Sequence, residues 1–335
     1  MATRGNFTIY SDDEHEGEWF RRLSPRLANA GLIILQGTGQ NPPFIENLIR
    51  FDRPDIILVR DNTPVLVLEQ THEVPSGHNV GQRFGRLVNA MEEGVMTIFF
   101  VPFRGMKHGR YASTCYAPRR LVSAIERMWE IHDTPILAVN WPADANDELI
   151  RGGAETIQEN GAFDVGLSEL INDLITNDFD YGRCNTIDDL RRRMLQLKDG
   201  LDPKTDTLEQ VGSVEIISTP DYLDRVRQNL PQMINNIPDT FQAREETLIY
   251  TVGMTEENCN RTDPYTGQQF IYDYQFCRNG RTVNEKHTNL VLYFPRISIA
   301  RWQETNPNVP ERKSRLWYMT ADLLEFTDHI IVARP

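Results

Sequence analysis

The sequence predicts an α/β protein of more than one unit, on three observations. Amphipathic helical stretches alternate with short apolar runs between residues 12 and 102. Two of those runs meet at a tight turn. Beyond about residue 210 the texture changes to strand-length alternating segments. A length of 335 residues allows two units, or one core with a large elaboration.

The segment "DDEHEGEWFRRLSPRLANAG" places Trp19, Phe20, Leu23 and Leu27 at near-helical spacing, with Leu32 just beyond. Asp12 or Asp13 can cap the helix, Pro25 bends it and Gly31 stops it. "LIILQG" follows as a strand, "TGQNPPF" as a loop and "FIENLIRF" as a turn or two of helix. Residues 55–60 and 64–71 read as two strands turning at "DNTP". After the loop "HEVPSGHN", the segment "VGQRFGRLVNAMEEG" is amphipathic through Val80, Phe84, Leu87, Val88 and Met91, ending at Gly94. "VMTIFFVPF" reads as a strand, "PRRLVSAIERMWEIH" as a helix and "PILAVNWP" as another strand. The order helix, strand, strand, strand, helix, strand over 12–102 implies a mixed sheet flanked by helices.

Residues 155–200 read as helical and acidic, with thirteen Asp and Glu against seven Lys and Arg over 151–210. From 211 onward, "SVEIIST", "TLIYTVGM", "QFIYDYQF", "TNLVLYFPRI" and "DHIIVARP" read as strands, with a helix near 221–235. The expected division is therefore 1–150 as a core, 151–210 as an acidic helical connector and 211–335 as a β-rich region.

Composition narrows the function. The net charge of -13 disfavours indiscriminate binding to nucleic acid, which needs a basic surface, but leaves room for a local basic cleft. No apolar run reaches membrane-spanning length and the first residues lack the pattern of a secretory leader, so a cytoplasmic protein is expected, with no membrane partner. Cys115, Cys184, Cys259 and Cys277 are scattered, as reduced thiols are.

The residues that ask for chemistry are Asp55 and Glu69, at the head and tail of two adjacent apolar strands. Alternation puts Glu69 and Thr71 on one face of their strand, with Asp55 beside it. Two carboxylates in an apolar sheet repel, and burial raises their pKa values unless a cation or protons compensate. Solvated strand ends are the plainer reading of each acid alone. A hard divalent ion is the economical compensator, and Mg2+ suits two carboxylates plus the backbone carbonyl of Gln70.

"RPD", thirteen further residues and "EQT" at a strand end together resemble the PD-(D/E)xK nuclease superfamily, which includes many restriction endonucleases. The order of elements around them is similar to that family's core, so a restriction endonuclease-like mixed sheet is the implied fold. The resemblance implies that Asp55, Glu69 and Gln70 hold Mg2+, with Mn2+ as a substitute. It also implies that Glu18 of the leading helix completes the site, with Glu46 as a competitor, and that Gln82 faces it. Where the family carries a lysine, this chain has Thr71, whose hydroxyl can bind a water but supplies no charge. His72, Gln82, the substrate phosphate and Lys107 are the candidates to replace it. Zinc at His72 and His78 lacks a convergent set of ligands.

The resemblance implies a type II restriction endonuclease cutting double-stranded DNA. Two active sites for two strands imply a homodimer. The alternative is an inactive nuclease fold that binds nucleic acid or serves as an adaptor in a defence or repair complex. In the C-terminal part, Phe270, Tyr272, Tyr274 and Phe276 share one face of a strand, and Arg261, Arg278 and Arg281 beside it are candidates for DNA contact.

Overall fold

Continuous apolar runs such as "IILV" and "VLVL" make strands that need cover on both faces, and the first sheet supplies it. The computed structural model describes residues 6–37, 39–49, 53–71, 74, 86–107, 113–117, 119–141, 143–149, 165–201, 214–252, 255–257, 287–305 and 321–333. They fall into two units, one formed by the described residues up to 201 and one by those from 214.

The first unit opens with β1 (Phe7–Ser11), α1 (Glu14–Arg22), β2 (Gly31–Ile34) and α2 (Pro43–Ile49). The hairpin β3 (Ile56–Arg60) and β4 (Thr63–Gln70) follows. Helix α3 spans residues 86–92 of the described chain. Beyond it come β5 (Met96–Val101), the small ribbon of β6 (Arg104–Lys107) and β7 (Ser113–Tyr116), α4 (Arg119–His132) and β8 (Ile136–Asn140). The main sheet has six strands in the order β2-β1-β3-β4-β5-β8. Strand β3 is antiparallel to both β1 and β4, whereas β4, β5 and β8 run parallel. Strand β1 has no counterpart in the sequence reading; its residues "FTIYS" show apolar alternation over too few positions to stand out.

The two faces of this sheet carry separate cores. On one, Ile56, Leu58, Leu66, Leu68 and Phe100 pack with Trp19 and Phe20 of α1. On the other, Ile57, Val59 and Val67 pack with Ile45 and Leu48 of α2 and Ala90 of α3. Helix α1 is drawn tightly to β1 and β2: a Cβ on Gly17 would overlap Leu32 Cδ1 and lie 3.1 Å from Ser11 Cβ.

Helices α5 (Val165–Thr176) and α6 (Asn185–Asp199) correct the expectation of a connector. Leu167, Leu170, Leu174, Ile187 and Leu190 belong to the same core as α1 and the sheet. Ser24 donates to Asn172 Oδ1 at 2.7 Å, and Ser168 to the Leu23 carbonyl at 2.7 Å. Among the described acids of this segment, Glu169, Asp188 and Asp189 are exposed, on helices whose inner side is apolar.

The second unit has a five-stranded sheet in the order β13-β12-β11-β10-β9, made of β9 (Val214–Ser218), β10 (Glu246–Thr251), β11 (Thr288–Phe294), β12 (Leu323–Phe326) and β13 (Ile330–Val332). Strands β10, β11 and β12 run parallel at its centre. Helices α7 (Thr219–Asn229) and α8 (Asp239–Gln242) lie on one face through Tyr222, Val226 and Phe241. Helix α9 (Ile299–Thr305) covers the other with Trp302 against Phe294 and Phe326. The helix read near 221–235 thus starts earlier and stops before Pro231, where a 3-10 turn continues.

Candidate active site

The β3–β4 hairpin places the two acids. Its turn residues Asp61 and Asn62 both have positive φ, 49° and 67°, the conformation of a two-residue type I′ turn. Register then shifts: Val59 pairs with Pro64 but Leu58 pairs with Leu66, leaving Val65 as an extra residue. Val65 and Leu66 accordingly both pack into the α1-side core. Beyond this bulge Ile56 pairs with Leu68, so the next step brings Asp55 opposite Glu69. Were Val65 paired with Leu58 instead of bulged, Asp55 would stand opposite Leu68 and Glu69 would point to the other face.

Both carboxylates lie on the face covered by α2 and α3. Glu69 is fully buried. Arg86, at the start of the described part of α3, donates from Nη1 to both Glu69 oxygens, at 2.6 and 2.7 Å. The same nitrogen lies 3.6 Å from Asp55 Oδ1. Asp55 Oδ2 accepts the Gln70 backbone N–H at 2.6 Å, and the Asp55 carbonyl accepts from Asp12 N at 3.0 Å.

A third carboxylate arrives from the opposite side. Gln70 alternates to the α1 face, and its Nε2 donates to Glu16 Oε1 at 2.9 Å. Helix α1 is capped by Asp13, whose side chain accepts from Glu16 N at 2.8 Å. Burial, and next the Asp55 charge, push the Glu16 carboxyl up to about 7; the Gln70 hydrogen bond opposes them, and Asp13 and Asp12 add further repulsion. Glu16 therefore meets the end of β4 from one face, and Asp55 and Glu69, joined by Arg86, from the other.

Glu18 does not belong to this set. Two residues beyond Glu16, it turns about 200° around the helix axis, is 40% exposed and pairs with Arg21 at 2.7 Å. Glu46 is also engaged elsewhere: Oε1 accepts from Asn41 N at 2.9 Å and Asn41 Nδ2 at 2.8 Å. Backbone donation from Gly39, then the Asn41 bonds, hold its carboxyl below the usual range. Thr71 is buried, and its N–H donates to the Phe100 carbonyl at 3.0 Å. Lys107 ends β6. Gln82, His72, His78, Arg261, Arg278, Arg281 and the aromatic residues of 270–276, expected to form a strand, lie outside the described residues.

Sequence reasoning missed Glu16 and Arg86. Both had a signal. Glu16, Trp19, Phe20 and Leu23 form an i, i+3, i+4, i+7 stripe, on which Glu18 does not fall. Arg86 stands four residues after Gln82, already expected to face the site, and four before the buried Ala90.

Oxygen donors at Asp55, Glu69, Glu16 and the Gln70 carbonyl have the chemistry of a hard-cation site. Among the described residues, no group of three or more His, Cys, Asp and Glu side chains is arranged to hold a metal ion. A Mg2+ site does not require such a group, since Mg2+ keeps several waters and takes one or two carboxylates. The donor set fits, with Arg86 now in contact with both acids. Among the described residues no helix is long and apolar enough to cross a membrane. No family model, curated protein or solved structure matches the chain.

Proposed function

We propose that the first unit is a metal-dependent endonuclease acting on double-stranded DNA, of the type II restriction class. The observation that carries this reading is the convergence of Asp55 and Glu69 on one cationic group at the end of adjacent central strands. Asp55, Glu69 and the Gln70 carbonyl would hold Mg2+ or Mn2+, with Glu16 completing the acidic set. The ion would polarise a phosphodiester and lower the pKa of a bound water. Gln70 orients two of the acids at once, through its backbone N–H to Asp55 and its side-chain amide to Glu16. Glu16 holds or releases a proton near neutral pH beside the attacked group. Arg86 brings the positive charge that Thr71 cannot.

The proposal extends to a cytoplasmic homodimer in which the C-terminal unit reads the target, Arg261, Arg278 and Arg281 contacting DNA. Replacing Asp55 or Glu69 with Ala should abolish cleavage of a broad duplex panel in Mg2+, and EDTA should abolish it for wild type. Cleavage that persists in either variant or in EDTA rejects the assignment.

A second reading has its own observation. Arg86 already neutralises Glu69, and a neutral Thr71 stands in the lysine position, as in a nuclease fold retained for binding nucleic acid or as an adaptor. Wild type that binds duplex DNA tightly yet stays inert in both Mg2+ and Mn2+ would favour it.

A further inference from the structure

We propose that Arg86 is an internal competitor of the divalent cation, holding the Asp55–Glu69 pair closed and leaving it when an ion binds. The inference rests on the reading of these two acids as the cation site. Its basis is geometric. Arg86 Nη1 sits 2.6 and 2.7 Å from the two Glu69 oxygens and 3.6 Å from Asp55 Oδ1, between the groups that an ion would bridge. Two cations cannot share those oxygens without repulsion.

The pair is also asymmetric in a way that tells which partner moves. Glu69 is 0% exposed and fixed by its strand, whereas the Arg86 side chain is 20% exposed at the end of a long, flexible stem. A buried carboxylate stripped of its cation is costly, so the guanidinium leaves only as another positive charge arrives. Guanidinium does not deprotonate in proteins, which means that raising the pH cannot relieve the competition. Displacement is the route left.

The test uses the full chain with Mn2+ alone as the probe, read by calorimetric titration and by the shift in thermal unfolding. Arg86→Gln should bind Mn2+ at least about tenfold more tightly than wild type, a difference of about 1.4 kcal/mol, and its melting temperature should rise more on Mn2+ addition. Arg86→Lys, whose compact ammonium grips fewer oxygens, should fall between the two. Adding Glu69→Gln to Arg86→Gln should return binding to the wild-type level or below.

Equal Mn2+ affinity in wild type and Arg86→Gln overturns the proposal, as does tight binding that survives the loss of Glu69. If Arg86→Gln does not fold without metal, refolding driven by Mn2+ supports competition, and Arg86→Lys decides the rest: affinity equal to wild type overturns it. Cleavage assays run alongside separate this from the nuclease reading. Tighter Mn2+ binding with no cleavage by wild type or variant leaves the competitor standing and removes the nuclease. Cleavage that depends on Asp55 and Glu69, with Mn2+ affinity indifferent to Arg86, does the reverse.

Discussion

Each unit buries carboxylates at the heart of its sheet, and the two units neutralise them differently. In the second unit Asp322 is held one-to-one: Arg244 Nη1 lies 2.7 Å from Oδ1, and Leu290 N donates to Oδ2 at 2.7 Å. Arg244 is steadied by Asn289 Oδ1 at 3.1 Å, and Asn289 donates in turn to Phe241 O and Thr219 Oγ1. Glu325 receives a neutral donor, the Tyr222 hydroxyl at 2.9 Å, with Arg225 at 3.7 Å. Burial raises the Glu325 carboxyl, with Arg225 and the Tyr222 hydrogen bond opposing it. In the first unit Asp55 and Glu69 share one arginine, and Glu16, reaching Gln70 from the other face, has its carboxyl pushed up to about 7. A network balanced by its own donors specifies packing. Two acids that share a single guanidinium nitrogen, beside a third whose carboxyl is raised, form a cluster of a different kind.

The sharpest way to break this contrast is to neutralise one buried acid in each unit. Glu69→Gln should cut Mg2+-dependent cleavage by about a hundredfold or more, the several kcal/mol of charge stabilisation that a mispositioned ion forfeits. Glu325→Gln should leave the rate within about twofold. A comparable loss in both would mean that the two clusters do not differ in kind.

Next in size is Arg244→Ala, which strands the buried Asp322 charge. A loss of about 3 kcal/mol in urea unfolding is expected, and Asp322→Asn in the same background should recover part of it. No recovery would show that packing of the arginine stem, not charge, sets the cost.

The smallest effect sharpens the reading of Glu16. Its carboxyl titrates near 4.5 when unfolded and about 7 when folded, so between those values the folded chain keeps a proton that the unfolded chain has lost. Stability therefore falls as pH rises through that window. Glu16→Gln should flatten the fall and add about 1 to 2 kcal/mol above neutral pH, discounted for partial exposure, with no gain below the unfolded value. An unchanged pH profile would show that Glu16 is not the residue whose carboxyl is raised.

Much of the first unit was legible because its signals are local. The hairpin announces itself by "DN" between two apolar runs, and the acids by sitting where only Val, Ile or Leu would pack. The sequence reading takes Glu18, with Glu46 as competitor, and passes over Glu16, because an acid near a helix start is common on either side; only the buried stripe of Trp19, Phe20 and Leu23 tells Glu16 from Glu18. Arg86 was harder to read: its spacing from Gln82 and Ala90 marks an inward helix face, but its partner Glu69 lies 17 residues away in sequence, and face alone does not name a partner. Helices α5 and α6 were mistaken for a connector for a related reason: net charge reports the solvent side of a helix, while attachment is decided by the apolar side.

The extra residue at Val65 has an evolutionary consequence. A one-codon deletion there would restore a regular ladder between β3 and β4, keep both strands apolar and leave the turn intact. Leu58 would still pair with Leu66 and Ile56 with Leu68, so Asp55 would keep Glu69 opposite it. The bulge is thus slack in the hairpin: the chain can shed the one residue held there without parting the acids. A second residue lost from β4 has no such slack to draw on, and it would turn Glu69 to the other face of the sheet.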